Sequence, residues 1–513
     1  MDEKGSSELS RVLSDVTLFS AVGGGIRLRN YQRNVAEAVV KSVIKQQGKS
    51  FVVMFPRQSG KNELQAQIET YLLLVFSREG GEIVKISPTR KPQSINAMRR
   101  LERTLRRNIF TKDLWKKESG YSYRVGNAAI FFLSGAPESN IVGATASLLL
   151  ELDEAQDILP SKYDHEIAPM AASQNATRVF WGTAWTEDSL LSREMQSAGK
   201  AERIDPADRR VFRIGADLVT KEVPAYGKFV AEQIRLLGRD HPLVRTQYFS
   251  EELNGQSGLF HEKRLEKMRG SHPFLYEPIM GEQYILLIDV AGADETSASP
   301  DAENESRRDS TALTFCRIRD PLMTEQEVSG GRFWQVVRRE VWLNLPLTEQ
   351  VERICQRMIV WMPEYCVVDA SGVGAGIASL LLKRFGSVRI LPFVFTAASK
   401  SKLGWDFLSI VDTERWQEAK GISMTDTEQS DLQEHFFREL RFCKSEVLAG
   451  AEKKLRWGVP AGTRDPVTGE WMHDDLLMSA ALAAVIDRSL REMKTETLVV
   501  PGRDPLRDLD RGY

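Results

Sequence analysis

FVVMFPRQSGKNELQAQIETYLLLV, from Phe51 to Val75, decides how the first half of the chain folds. It opens on a short β-branched and apolar run, passes through turn residues, and continues with apolar residues at helical spacing. Strand, turn and helix in that order aim backbone N–H groups and the positive end of a helix at an anion, with Lys61 long enough to reach terminal phosphates. The segment departs from G-x-x-x-x-G-K-[ST] twice: Phe55 stands where the first glycine would be, and Asn62 replaces the hydroxyl that touches magnesium. An amide oxygen is still a hard ligand, so Asn62 is expected to hold Mg²⁺ either directly or through water. Taken alone, Gly60-Lys61 is equally an ordinary helix start.

A second motif changes that balance. SLLLELDEAQ, Ser147 to Gln156, reads as a buried strand ending in the adjacent carboxylates Asp153 and Glu154. Phosphoryl transfer needs a metal holder at a strand tip and a group that orients and deprotonates water; Asp153 fits the first role and Glu154 the second. A third strand, Arg178 to Trp181, runs into Gly182-Thr183-Ala184-Trp185, where Thr183 is placed to sense a γ-phosphate.

Upstream, Gln32 is a candidate reader of an adenine edge, with Tyr31 packing on the ring. Downstream, a strand and turn from Val84 lead to a helix carrying Arg99, Arg100, Arg103, Arg106 and Arg107. From Arg90 to Lys117 there are ten basic residues and two acidic ones, Glu102 and Asp113. Arg99, Arg103, Arg106 and Arg107 share one helical face, which suits a phosphate backbone and carries no base information.

The second half repeats the pattern of apolar strand and terminal acid. Gln283 to Asp289 is one such strand, and the stretches from Arg308 and Arg332 read as the next two. A helix-periodic stretch, Leu347 to Met362, then leads to Tyr365-Cys-Val-Val-Asp369. Three antiparallel strands, a helix and a parallel strand with an acid form the beginning of an RNase H-like sheet, whose first and fourth strands lie side by side. WMHDDLLMSAALA, from Trp471, opens a helix whose first-turn carboxylates, Asp474 and Asp475, would face the strand tips. Such a set holds two divalent cations roughly 4 Å apart around a phosphodiester. Oxygen-only ligation favours Mg²⁺ or Mn²⁺ over zinc. The sequence leaves open whether Asp474, Asp475 or both take part.

RQSGKNE, LLLELDEAQ and GTAW in that order, joined to the acidic strand ends of the second half, resemble the large terminase subunit of tailed bacteriophages, over nearly the whole chain. The resemblance implies an α/β protein: an N-terminal P-loop ATPase domain of RecA/ASCE type with a mainly parallel sheet, and a C-terminal RNase H-like nuclease domain with a mixed sheet. It implies a motor that hydrolyses ATP with Mg²⁺, moves double-stranded DNA into a procapsid, and cuts concatemers with two Mg²⁺ or Mn²⁺ ions. By the resemblance Arg57 switches with the nucleotide, which lies against Arg57, Gln58, Ser59, Gly60, Lys61, Asn62 and Glu63. The Gly-Thr-Ala segment couples hydrolysis to movement. Asp289, Asp369, Asp474 and Asp475 match the nuclease metal ligands, with Met478 where related nucleases carry another acid. Portal protein and the terminase small subunit are the implied partners. The implied assembly is a homo-oligomeric ring on the procapsid, with a monomer in solution as the alternative state, in the host cytoplasm. The rival readings are a helicase-like repair or restriction enzyme and a nucleotide-binding assembly scaffold.

With 513 residues and 42% apolar content the chain is long enough for two or three domains. The expected division is an ATPase domain over 1–254, a linker over 255–275, a nuclease domain over 276–495 and a charged tail over 496–513. A mobile loop is expected at 293–309, beside Asp289. A net charge of −2 carries no overall sign of nucleic-acid binding, so DNA contact must come from local patches. Cys316, Cys355, Cys366 and Cys443 lack metal-ligand spacing and read as reduced core residues. The polar start MDEKGSSELS and the lack of a long apolar run point to a soluble protein with no membrane partner.

Overall fold

A computed structural model describes residues 9–141, 143–187, 189–253, 258–290, 310–321, 331–421, 426–448, 454–465, 469 and 471–495, without side chains from 490 onward. The chain divides into two compact units, Met1–Ile234 with Pro242–Gln256 and Arg235–His241 with Ser257–Tyr513. The stretches 293–309 and 496–513, expected as a loop and a tail, lie outside the described residues.

The first unit is built on eight strands: β1 (Ser50–Met54), β2 (Gly81–Ser87), β3 (Trp115–Ser119), β4 (Ser122–Val125), β5 (Ala128–Ser134), β6 (Leu149–Leu152), β7 (Thr177–Gly182) and β8 (Val211–Arg213). Their order is β3-β4-β5-β2-β6-β7-β1-β8. From β5 through β8 all pairs are parallel, while β3 and β4 add an antiparallel edge. The apolar run Phe51–Met54 is fully buried, as expected of a parallel strand covered on both faces. β7 lies between β6 and β1, with Leu152 opposite Phe180 and Met54 opposite Gly182. The acids after β6 and the loop after β1 therefore flank the end of β7, at the carboxyl edge where open α/β sheets bind ligands.

Lys61–Val75 is the helix expected after the loop, and most of its residues are buried. The basic helix spans Ile95–Arg107 and buries Ala97, Met98, Leu101, Thr104 and Leu105. Arg99, Arg103, Arg106 and Arg107 are not among its buried residues.

The second unit carries a six-stranded sheet of β9 (Gln283–Asp289), β10 (Thr311–Arg319), β11 (Phe333–Trp342), β12 (Tyr365–Asp369), β13 (Ile390–Phe393) and β14 (Trp416–Glu418), in the order β13-β12-β9-β10-β11-β14. β9, β10 and β11 are antiparallel, and β12 runs parallel beside β9. A hairpin of β15 (Lys444–Val447) and β16 (Leu455–Gly458) stands apart from the sheet. The described part of the expected linker is not a free connector. Leu259, Phe260, Leu265 and Met268 are core residues of this unit, and Glu262–Lys267 is a helix. Burying apolar side chains of this size is worth about 1.5–3 kcal/mol each, which favours packing over an exposed tether.

The helix Asp475–Ala481 packs on the sheet, where Ser479 Oγ donates to the Leu287 carbonyl at 3.0 Å and lies 2.9 Å from Thr314 Oγ1. All four cysteines are free and buried. Among the described residues no helix is long and apolar enough to cross a membrane.

Candidate active sites

The loop after β1 turns through two left-handed residues, Gln58 (φ 58°) and Gly60 (φ 98°). A Cβ at position 60 would stand 2.7 Å from the terminal Nε2 of Gln32, which would have to move, and the φ of 98° is what demands glycine there. Lys61 is the first residue of the following helix and is buried. Its Nζ lies 2.9 Å from Asp153 Oδ1 and also donates to Glu154 Oε1. Gln65, one turn further on, donates to Asp153 Oδ1 at 3.2 Å.

These contacts govern the charges. Burial alone would favour loss of the Lys61 proton, but Asp153 and Glu154 outweigh it and hold the ammonium above its ordinary range. Burial pushes the Asp153 carboxyl up; Lys61 and Lys85 more than reverse this and leave it at about 2. Glu154 is half-buried with a left-handed backbone, φ 48° and ψ 48°, a conformation that costs a residue with a side chain about 1–3 kcal/mol and gathers at functional sites. Its Oε2 accepts from Gln156 Nε2 at 2.7 Å.

Tyr31 and Gln32 reach the same loop from the helix Asn30–Ile44. Tyr31 donates to the Ser59 carbonyl at 2.9 Å and meets Phe55 edge-on at 5.9 Å. Gln32 Nε2 donates to the Gly60 carbonyl at 3.0 Å, while its Oε1 accepts from Arg29 N at 3.0 Å. Both side chains thus brace the loop after β1, and both ends of the Gln32 amide already engage main chain. A groove lined by Asn30, Tyr31, Asn34, Phe212 and Leu218 opens beside them. Ser59 is buried and bonds back to the Pro56 carbonyl at 2.6 Å, whereas Arg57, Gln58 and Asn62 are exposed. Arg57 is held by its backbone, donating to Gln247 O at 2.8 Å and accepting from Tyr226 Oη at 2.9 Å. Glu63 pairs with Arg100 at 2.9 Å. Thr183 stands at the end of β7, its N–H donating to Gln156 Oε1 at 3.2 Å.

In the second unit the register of β9 and β12 ends on Ile288 opposite Val368, so Asp289 and Asp369 close neighbouring parallel strands. Asp475, at the start of its helix, is buried, and its Oδ2 accepts from Ser310 N at 2.7 Å and Ser310 Oγ at 2.5 Å. Asp474, one residue earlier, is more exposed; its Oδ2 accepts from Val459 N at 3.3 Å and lies 3.6 Å from Lys400 Nζ. Burial, then the charges of Asp475, Asp369 and Asp474, push Asp289 well above the usual carboxylate range, with Lys400 acting the other way. Burial raises Asp369 against the hydrogen bonds of Ser371, whose N–H donates to Asp369 Oδ1 at 2.8 Å.

The sequence reading missed Glu439, which is buried on the helix Thr427–Phe442. It accepts from Leu477 N at 2.7 Å and Leu476 N at 3.4 Å, capping the helix that carries Asp475. Burial, then Asp475 and Asp474, raise its carboxyl too. Glu439 sits among many charges on an amphipathic helix, so no local pattern marks it, whereas Gln65 lies one helical turn from Lys61 and Gln156 closes the LLLELDEAQ motif.

The donor set suits a hard divalent cation: its acidic groups are oxygen-only, and their mutual repulsion is relieved when positive charge arrives. As they stand, no three or more His, Cys, Asp or Glu side chains among the described residues are grouped to hold an ion.

No family model matches the chain, and no curated protein matches it. Among solved structures, the large terminase from a thermophilic bacteriophage, in its second crystal form, is 10% identical, with 90% of this chain and 99% of that one covered at a TM-score of 0.44. The HK97 bacteriophage large terminase is 13% identical, covering 93% of this chain and 98% of that one at a TM-score of 0.35. The large terminase nuclease from thermophilic phage G20c with bound magnesium is 16% identical over 45% of this chain and 97% of that one, at a TM-score of 0.30. These solved structures are large terminases, or single domains of them, from several phages.

Proposed function

We propose that this chain is an ATP-driven DNA translocase with an attached metal-dependent endonuclease, the large subunit of a phage terminase. The observation that carries this reading is the occurrence of two acid sets of opposite electrostatic character at the carboxyl edges of two sheets. One set is ion-paired, Lys61 bridging both of its carboxylates. The other is buried and its members repel one another, so that Asp289 and Glu439 are held toward their protonated forms.

In the first set Lys61 exchanges a carboxylate for the β- and γ-phosphates of ATP as the substrate enters, and the backbone N–H groups of Gln58 to Lys61 cradle the phosphates. The adenine lies toward Tyr31 and Gln32. Freed from Lys61, Glu154 orients a water in line with the γ-phosphorus and takes its proton as the bond to the β-phosphate oxygen breaks. Arg57 and Thr183 read the presence of the γ-phosphate. In the second set Asp289, Asp369, Asp474 and Asp475 would hold the metal, Glu439 fixes the helix that presents the last two, and Lys400 faces the phosphate backbone of bound DNA. A divalent cation at Asp153 and Asn62, and a pair in the second set, would neutralise phosphate charge, activate water and stabilise the leaving oxygen. The arginines of Ile95–Arg107 grip DNA without reading sequence. Portal protein and a small subunit are the partners of this function, in a ring docked on a procapsid.

Phosphate release and Mn²⁺-dependent cleavage, measured on the same preparation, test the reading. The expected result is DNA-stimulated ATP turnover together with duplex cutting. A scaffold releases no phosphate, and a helicase unwinds a forked duplex; either outcome overturns the assignment.

A further inference from the structure

We infer that Gln156 is a positioning residue that fixes Glu154 and ties it through one amide to the end of β7. The inference rests on the ATPase reading above.

Gln156 is buried and lies in the short helix directly after the paired acids. Its Nε2 donates to Glu154 Oε2 at 2.7 Å and to Asp157 Oδ2 at 3.2 Å, while Oε1 accepts from Thr183 N at 3.2 Å. Carboxylates accept and a backbone N–H donates, so only this orientation of the amide satisfies both ends. Glu154 also needs restraint, because its left-handed backbone is an unfavourable one for a side-chain-bearing residue. The strand end is shaped for the amide: a Cβ at Gly182 would stand 2.3 Å from Gln156 Oε1 and 2.6 Å from Leu191 Cδ2. The glycine of Gly182-Thr183-Ala184 thus leaves room for Gln156. A displacement of the Thr183 N–H is passed to the Glu154 carboxylate through a single side chain, which couples the orientation of the water-activating group to the position of β7.

The test is ATP turnover by the full chain carrying Gln156→Met, Gln156→Glu or Glu154→Ala, with melting temperature followed in parallel. Gln156→Met keeps the volume and loses all three hydrogen bonds. It is expected to lower kcat about tenfold, some 1.4 kcal/mol of barrier, with KM for ATP within about twofold. Gln156→Glu keeps the acceptor for Thr183 and replaces the donor with a second carboxylate. Its kcat is expected to fall at neutral pH and to recover relative to the parent as pH falls, because protonation restores a donor. Parental kcat in both variants overturns the inference, as does an equal loss of kcat and melting temperature without the pH recovery. If Glu154→Ala is inactive while both Gln156 variants turn over normally, the relay alone is wrong. If Glu154→Ala keeps the parental rate, the ATPase assignment and the relay fall together.

Discussion

Lys61 Nζ lies 2.9 Å from Asp153 Oδ1, so the cation that follows the β1 loop is already seated on the acid directly after β6. On the proposed reading, an entering triphosphate displaces a carboxylate from this ammonium and frees Glu154 to engage water. Removing one partner of a buried pair leaves the others uncompensated, at about 3–5 kcal/mol. Lys61→Ala is therefore expected to abolish phosphate release and to lower the melting temperature. Glu154→Ala is expected to reduce turnover by about 10²–10⁴-fold, as loss of a general base does. Both variants should retain Mn²⁺-dependent DNA cutting.

Asp153 sits at about 2 against an ordinary 3.8, so its folded value is depressed. Its ionic contribution is fully present above pH ~4 and is lost as pH falls toward ~2. Denaturant melts of the parent and Asp153→Asn between pH 5 and 3 should show a stability gap that is flat at the upper end and narrows at the lower.

Asp289 has the opposite sign. Burial and its acidic neighbours raise its carboxyl well above 3.8, so the ionised form weighs against folding and its cost appears as pH rises. Asp289→Asn should abolish cleavage, spare ATP turnover and raise the melting temperature by about 2–4 °C at neutral pH, a gain expected for ~1 kcal/mol. The gain should shrink on acidification.

Glu439 separates capping from charge. Glu439→Gln keeps an oxygen for Leu477 N and removes a carboxyl that can ionise when a cation arrives, so it should preserve the fold and weaken Mn²⁺ binding severalfold by titration calorimetry. Glu439→Ala leaves the buried N–H groups of Leu476 and Leu477 without this acceptor, and should destabilise by about 1–3 kcal/mol.

Gly60→Ala meets both a φ of 98° and the Gln32 amide at 2.7 Å. About 1–2 kcal/mol of strain is expected, together with at least a tenfold loss of ATP affinity in a fluorescent-nucleotide titration.

Much of this architecture was legible in the chain because period and punctuation coincide. The β1 to Lys61–Val75 unit, the strand before Asp153 and the order of β9 to β12 follow from apolar runs closed by turn residues or acids. Three aspects were not legible. The stretch around Leu259 and Phe260 lacks long periodicity, so its burial in the second core is decided by tertiary packing. Tyr31 and Gln32 donate to backbone carbonyls 28 residues away, a pairing across the chain that no local pattern announces. Asp474 and Asp475 are adjacent and chemically identical, and only the fold distinguishes them: Ser310 holds the buried one, while Val459 N–H and Lys400 face the more exposed one.

The most direct measurement of the central claim is anomalous diffraction from crystals of the full chain soaked in Mn²⁺. Peaks bounded by Asp289, Asp369 and the Asp474-Asp475 pair, lost in Asp289→Asn, are the expected result. Crystals that bind Mn²⁺ only elsewhere, or a parent and Asp289→Asn that cut DNA equally well, would contradict the account.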